Sequence, residues 1–316
     1  MIYICPYMNN EKRSSLLILA ACFLWALDIL VRYPITLQVN FIHIVFIESL
    51  LGLLFVTPWL IKHGRHELKS FSMKDWLLAI FLGGFGMTVA GFLSTESILE
   101  ASPGTFSFFQ IFQPLFVVYA AHVFLKEKID TLYFYWGLWV VLSAMLMYSQ
   151  DLEMLMGNDI SIVPGAMLIA FATMLIWGLC TIAGKKLLIS HRPFTLVAVR
   201  WLFAFIFSLG FISFDKTPIP WDQMMNWDLI WRFGFISAVA GTASMYLYFT
   251  GMRDLPAAKV SFLELCYPAL GIMFSALYTY EKVSFLQAIG VVSFFAFVLL
   301  ILGRKESPGE LTRRFP

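Results

Sequence analysis

The stretch ASPGTFSFFQIFQPLFVVYAAHVFLKEKI, residues 101–129, is written a second time, in altered form, as LPAAKVSFLELCYPALGIMFSALYTYEKV, residues 255–283. Laid on each other they place Ser107 on Ser261, Phe108 on Phe262, Gln110 on Glu264 and Pro114 on Pro268, and the Glu127, Lys128 pair on Glu281, Lys282. The register extends outward at an offset of 152 to 154 residues, where LWAL around Trp25 meets IWGL around Trp177 and Glu48 meets Arg200. The chain reads as two copies of one unit.

Of the 316 residues 60% are hydrophobic and 13% charged, about half the charged share of an ordinary soluble domain. Such a composition excludes a water-soluble globule. Apolar runs between charged or turn-forming breaks fall at residues 14–37, 41–61, 76–99, 103–124, 132–149, 163–189, 194–214, 229–252, 256–280 and 284–302. Most exceed the roughly 20 residues that a helix needs to cross a bilayer; the fifth and tenth are marginal. The runs lack the alternation of barrel strands, and in lipid a helix satisfies its own backbone groups. The expected fold is therefore an all-α integral membrane protein with ten transmembrane helices. The expected division is a tail at 1–13, a five-helix repeat at 14–149, an outer linker at 150–162, a second five-helix repeat at 163–302 and a tail at 303–316.

The first run is longer than a signal h-region and has no small-residue cleavage site, so it is expected to stay as a span. Met8 is an alternative start, and the seven residues before it look dispensable. Cys5, Cys22, Cys180 and Cys266 are far apart, three of them in apolar runs, which suits small buried hydrophobes rather than a disulfide framework. Six tryptophans near span ends, Trp59, Trp76, Trp136, Trp221, Trp227 and Trp231, suit interfacial anchors.

With 22 basic and 20 acidic residues, no global surplus points to nucleic acid. The placement of the basic residues is informative. If the N-terminus is cytoplasmic, sixteen lysines and arginines lie on that side, three (Lys216, Arg232, Lys282) on the other and three (Arg32, Arg200, Lys259) within spans. That asymmetry places both termini in the cytoplasm and the protein in the cell or inner membrane. Five spans per unit force the second copy to enter from the opposite face, making an inverted repeat whose two arrangements open to opposite sides. Alternating access follows naturally from that symmetry.

The duplicated small-residue and proline start, mid-helix proline and terminal glutamate of the fourth and ninth spans, with Trp25 and Trp177 at corresponding places, resemble the EamA family of the drug/metabolite transporter superfamily. The resemblance covers roughly residues 16–303. It implies two five-helix halves, a secondary transporter of small organic metabolites that often exports amino acids or related compounds, and a central cavity lined by the first four helices of each half. The fifth and tenth helices would support these from outside. The second span of such halves often carries arginine, as Arg200 does here, whereas the first half has Glu48.

An ionisable group at the bilayer centre costs roughly 2.5 to 3.5 kcal/mol on insertion scales, so it should face a partner or a cavity. Asp28 and Arg32 have the i,i+4 spacing of a pair on one helix face. Glu48 and Arg200 could neutralise each other, bind opposite ends of a zwitterion, or leave Glu48 to carry a proton. Glu264 lies about 12 Å into its span, and Pro268 frees its carbonyl one turn before; Gln110 and Pro114 repeat the arrangement without charge, and Gln113 adds an amide. Trp25 and Trp177 lie mid-span, where they could wall a site for an aromatic or cationic substrate. The small residues Gly83, Gly84, Gly86, Ala90 and Gly91, with Ala238, Ala240, Gly241, Ala243 and Ser244, suit close helix packing or a sliding contact.

No G-x-x-x-x-G-K-[ST], H-E-x-x-H or C-x-x-C is present, so no ATP engine, metal site or cofactor is expected. The leading reading is a secondary active transporter of a small metabolite, an amino acid or related compound or an organic cation. Its substrate-binding or coupling candidates are Trp25, Asp28, Glu48, Gln110, Gln113, Trp177, Arg200 and Glu264, with Pro114 and Pro268 as kinks. Protons are the expected coupling partner, and a homodimer is compatible with the sequence. The alternative is an integral-membrane enzyme acting on a lipid-linked substrate.

Overall fold

In the computed structural model every regular element among the described residues is helical. The structure describes residues 10–100, 109–128, 131–148, 164–214, 218–219, 221, 226–279 and 283–303. The helices are α1 (Asn10–Thr36), α2 (Phe41–Gly64), α3 (Met73–Ser97), α4 (Gln113–Leu125), α5 (Thr131–Met147), α6 (Pro164–Leu187), α7 (Pro193–Phe214), α8 (Trp227–Asp254), α9 (Ala257–Glu264), α10 (Cys266–Thr279) and α11 (Phe285–Gly303). Polar residues set several starts. The Asn40 side chain accepts from the Ile42 N–H at 3.1 Å, Asn226 caps α8 in the same way, and Ser72 with Asp75 forms a capping box at α3.

Among the described residues, α1, α2, α3, α6, α7, α8 and α11 are long and apolar enough to cross a membrane. The fourth, fifth and ninth expected spans differ; the fifth is the 17-residue helix α5, shorter than all of those helices. The chain turns at Ile111 and Phe112 before α4 resumes at Gln113, and at Leu265 between α9 and α10. Both breaks precede a proline, Pro114 and Pro268, whose missing N–H and bulky ring cannot continue an unbroken helix. The beginning of the fourth span, the linker at 150–162, Lys282 and residues 1–9 and 304–316 lie outside the described residues, while residues 10–13 of the expected N-terminal tail belong to the first turn of α1.

Packing pairs α1 with α8 and α10, α2 with α7, α3 with α6 and α7, α4 with α6 and α9, and α5 with α11. Lipid supplies no hydrophobic drive between helices, so close van der Waals fit and internal hydrogen bonds must hold them. The small residues provide that fit. A Cβ on Gly83 would stand 2.5 Å from the Arg200 carbonyl oxygen, and Gly52 and Gly241 leave room for the fully buried Trp201, whose indole donates to Thr242 at 3.0 Å. Widened π-helical turns interrupt the same regions, Phe81–Val89 in α3 and Ile236–Ala243 in α8. Gly290 seats α11 on α5, where Ser143 and Ser293 hydroxyls meet at 2.8 Å. The faces turned away from these contacts remain apolar, with Leu142, Leu168, Val292 and Leu299 exposed.

Candidate functional site

The break at Leu265 leaves Glu264 at the end of α9, facing helices from both halves of the chain. Its Oε2 accepts from the Gln113 amide on α4 at 3.1 Å, and its Oε1 accepts from the Tyr248 hydroxyl on α8. Thr181 on α6 lies 3.5 Å from the same hydroxyl. The carbonyls of Leu263 and Glu264 accept weakly from the buried Cys22 thiol on α1, at 3.6 and 3.8 Å. Carbonyls near a proline break thus find a donor. The Trp25 ring packs 5.3 Å from the Tyr248 ring and 6.5 Å from that of Tyr267, so one aromatic wall stands directly beside the carboxylate.

Two turns along α1 from Trp25 lies a second polar centre. The Arg32 guanidinium is bidentate to Asp28, at 2.6 and 3.2 Å, and bidentate to Glu48, at 2.8 and 3.0 Å. A planar fork matches two carboxylates in this manner and a lysine cannot. Asp28 and Arg32 therefore meet as their spacing predicts. Glu48 does not pair with Arg200: both its oxygens are engaged by Arg32, a partner sixteen residues away across the α1–α2 turn. The Arg200 guanidinium lies 5.4 Å from the Trp201 ring centroid, and its Nη1 is buried without a hydrogen-bond partner.

The other expected residues sit apart. Trp177 donates its indole N–H to the Gly86 carbonyl at 3.0 Å, fastening α6 to the widened turn of α3. Gln110 donates to Ala170 O at 3.4 Å, while its own Oε1 is buried without a partner. The structure thus gathers Trp25, Gln113 and Glu264 in one place and Asp28 with Glu48 in another. Tyr248, Tyr267 and Thr181 escape a sequence reading because nothing distinguishes them from other aromatic and hydroxyl side chains in apolar runs.

Near the ends where the basic residues gather, a further set of bonds joins the two halves. Lys259, 2% exposed, forms an ion pair with Glu11, Ser14 donates to Asp254 at 3.0 Å, and Glu127 accepts from the Ala257 N–H at 2.9 Å. Lys185 donates to the carbonyls of Met252, Arg253 and Leu255 at 2.6 to 3.0 Å, satisfying the end of α8. Among the described residues no three His, Cys, Asp or Glu side chains gather as a metal ion would require.

The family that matches this chain is the EamA-like transporter family, over residues 12–149 and again over residues 164–303. The riboflavin transporter ImpX of Fusobacterium nucleatum subsp. nucleatum is 25% identical over 285 residues, covering 85% of this chain and 91% of that one. The uncharacterized transporter YxxF of Bacillus subtilis is 24% identical over 275 residues, covering 85% and 83%. A solved crystal structure at 17% identity superimposes with a TM-score of 0.72 over 91% of this chain and 95% of its own, and so shares the fold.

Proposed function

Because the chain belongs to the EamA-like transporter family and is a multi-pass membrane protein carrying a small molecule, we propose that it moves a flat, amphipathic, hydrogen-bonding metabolite by alternating access, with riboflavin the first compound to test. The single observation that carries this reading is the cluster of Glu264, Gln113 and Tyr248 beside the Trp25 ring. An isoalloxazine ring needs a face to stack on and partners for its imide edge. Trp25 and Tyr248 supply the face; Gln113 and Glu264 supply an amide and a carboxylate that can accept the imide N–H. The ribityl hydroxyls would extend toward Asp28 and Arg32, about 5 and 10 Å along α1 from Trp25, and toward Glu48 of α2. The name of the Fusobacterium relative supports the choice.

In this reading ten spans form two inverted five-helix repeats, 14–149 and 163–302, with both termini cytoplasmic. Exchange of the two repeat conformations presents the site first to one side and then to the other. Glu264 is the proposed proton-coupling group, since a carboxylate inside the bundle whose described partners are the neutral donors Gln113 and Tyr248 can alternate between a charged and a neutral form as those partners change. An amino acid is the second reading, favoured by the unpartnered Nη1 of Arg200, which could take a substrate carboxylate.

Counterflow in sealed proteoliposomes tests these readings against an enzyme. Labelled riboflavin should exchange against trapped riboflavin and emerge chemically unchanged, while amino acids, nucleosides and quaternary amines should not compete. Competition by an amino acid alone would select the second reading. Appearance of label only in an altered compound would overturn transport.

A further inference from the structure

Tyr248 is not among the residues that the sequence marks, yet it makes contacts on three sides. Its hydroxyl donates to Glu264 Oε1, its ring packs against Trp25 of α1, and Thr181 of α6 lies 3.5 Å from its oxygen. Glu264 meanwhile receives Gln113 of α4 on its other oxygen. One carboxylate thereby holds α4, α8 and α9 together through two donors, one on each oxygen, which is the acceptor pattern an ionised carboxylate offers.

Among the described residues the other half shows no such tie. At the 154-residue offset that places Glu264 on Gln110, Tyr248 falls on Ser94. Ser94 donates to Gly91 O in its own helix at 2.8 Å, and Gln110 Oε1 is buried without a partner. The tie in the second half lies just above the bonds that join the halves where the basic residues gather: Lys259 to Glu11, Ser14 to Asp254 and Glu127 to the Ala257 N–H. A tie present in one repeat and absent in the other is what an inverted pair shows when one side is shut.

We propose that Tyr248, besides offering its ring to the substrate, has a positioning role: its hydroxyl, with the Gln113 amide, clasps Glu264 and keeps the bundle shut toward the cytoplasm, and release of this clasp is the step that opens that side. The proposal rests on the transporter reading only for which face opens and why. Its substrate-independent consequence is that Cys22, fully buried against the Leu263 and Glu264 carbonyls, becomes reachable when the clasp is released.

The test uses the full chain in proteoliposomes with Cys22 as the sole cysteine, Cys5, Cys180 and Cys266 being replaced by alanine, and N-ethylmaleimide as the probe. A second protein keeps Cys180 alone, on α6 beside Gly86. Tyr248→Phe removes the hydroxyl and retains the ring. Loss of a hydrogen bond to a charged group should raise the Cys22 labelling rate about tenfold or more, with Cys180 unchanged. Glu264→Gln should raise Cys22 labelling likewise, and the double variant no further than the faster single variant. A Cys22 rate unchanged by Tyr248→Phe overturns the proposal, and so does an equal rise at Cys180, which would make Tyr248 a merely structural residue. Absence of riboflavin transport with the predicted labelling would reject the substrate reading and leave the clasp standing.

Discussion

Replacing Arg32 by methionine removes four charge-assisted hydrogen bonds and leaves Asp28 and Glu48 facing each other without a counter-ion. Stranding a buried charge costs about 3–5 kcal/mol. The Glu48 side chain is 7% exposed and bears the full penalty, while Asp28, at 18%, is partly relieved by its surroundings. The expected loss is therefore about 4–5 kcal/mol, at the upper end of that range. Arg32→Lys keeps a positive charge but cannot fork onto both carboxylates, so it should lose about 1.5 kcal/mol, the value of one hydrogen bond to a charged group. Equilibrium unfolding in mixed dodecyl maltoside and sodium dodecyl sulfate micelles measures both. Adding Glu48→Gln to Arg32→Met should restore part of the loss, with a coupling energy of about 1–3 kcal/mol. An Arg32→Met protein that unfolds within about 0.5 kcal/mol of wild type, as a surface substitution does, would refute the claim that this network fastens α1 to α2.

Glu264→Gln should abolish accumulation of substrate driven by an imposed pH gradient while counterflow survives, because exchange without net flux needs no proton; unchanged accumulation rejects Glu264 as the coupling group. Glu11→Gln strands Lys259, whose side chain is 2% exposed, and should cost about 3–5 kcal/mol; changing both to methionine should recover most of it, measured by the same unfolding titration. Gly83→Ala places a methyl 2.5 Å from the Arg200 carbonyl oxygen, so α3 and α7 must separate, lowering stability by about 1–3 kcal/mol; a neutral result would show that the two helices do not meet as tightly as described.

The helical, membrane-crossing character of the chain was legible because long apolar runs admit few other folds; in the sequence Pro268 marks a kink within one continuous ninth span, whereas the helix breaks at Leu265, three residues earlier. The Asp28 and Arg32 contact was equally legible, since i,i+4 spacing brings side chains together within one helix. Glu48 was not. Its repeat equivalence to Arg200 suggested a mutual pair, but the fork of Arg32 reaches it from the adjoining helix, and the choice between the two arginines depends on how α1, α2 and α7 pack. Gln113 and Glu264 were each visible as polar residues in apolar surroundings, yet their meeting depends on α4 and α9 packing together. Tyr248 was hidden for a different reason: a tyrosine in an apolar run resembles every other packed aromatic until its hydroxyl is seen to have a carboxylate in front of it.

The central claim is that the Trp25, Gln113, Tyr248 and Glu264 cluster receives the transported molecule. Titrating purified protein into riboflavin and following flavin fluorescence tests it most directly, because stacking on an indole quenches that emission. Saturable quenching by the wild type, weakened at least tenfold in Trp25→Leu and untouched in the lipid-facing Leu142→Ala, is the expected result. Quenching of equal strength in wild type and Trp25→Leu, or none in either, would contradict the assignment.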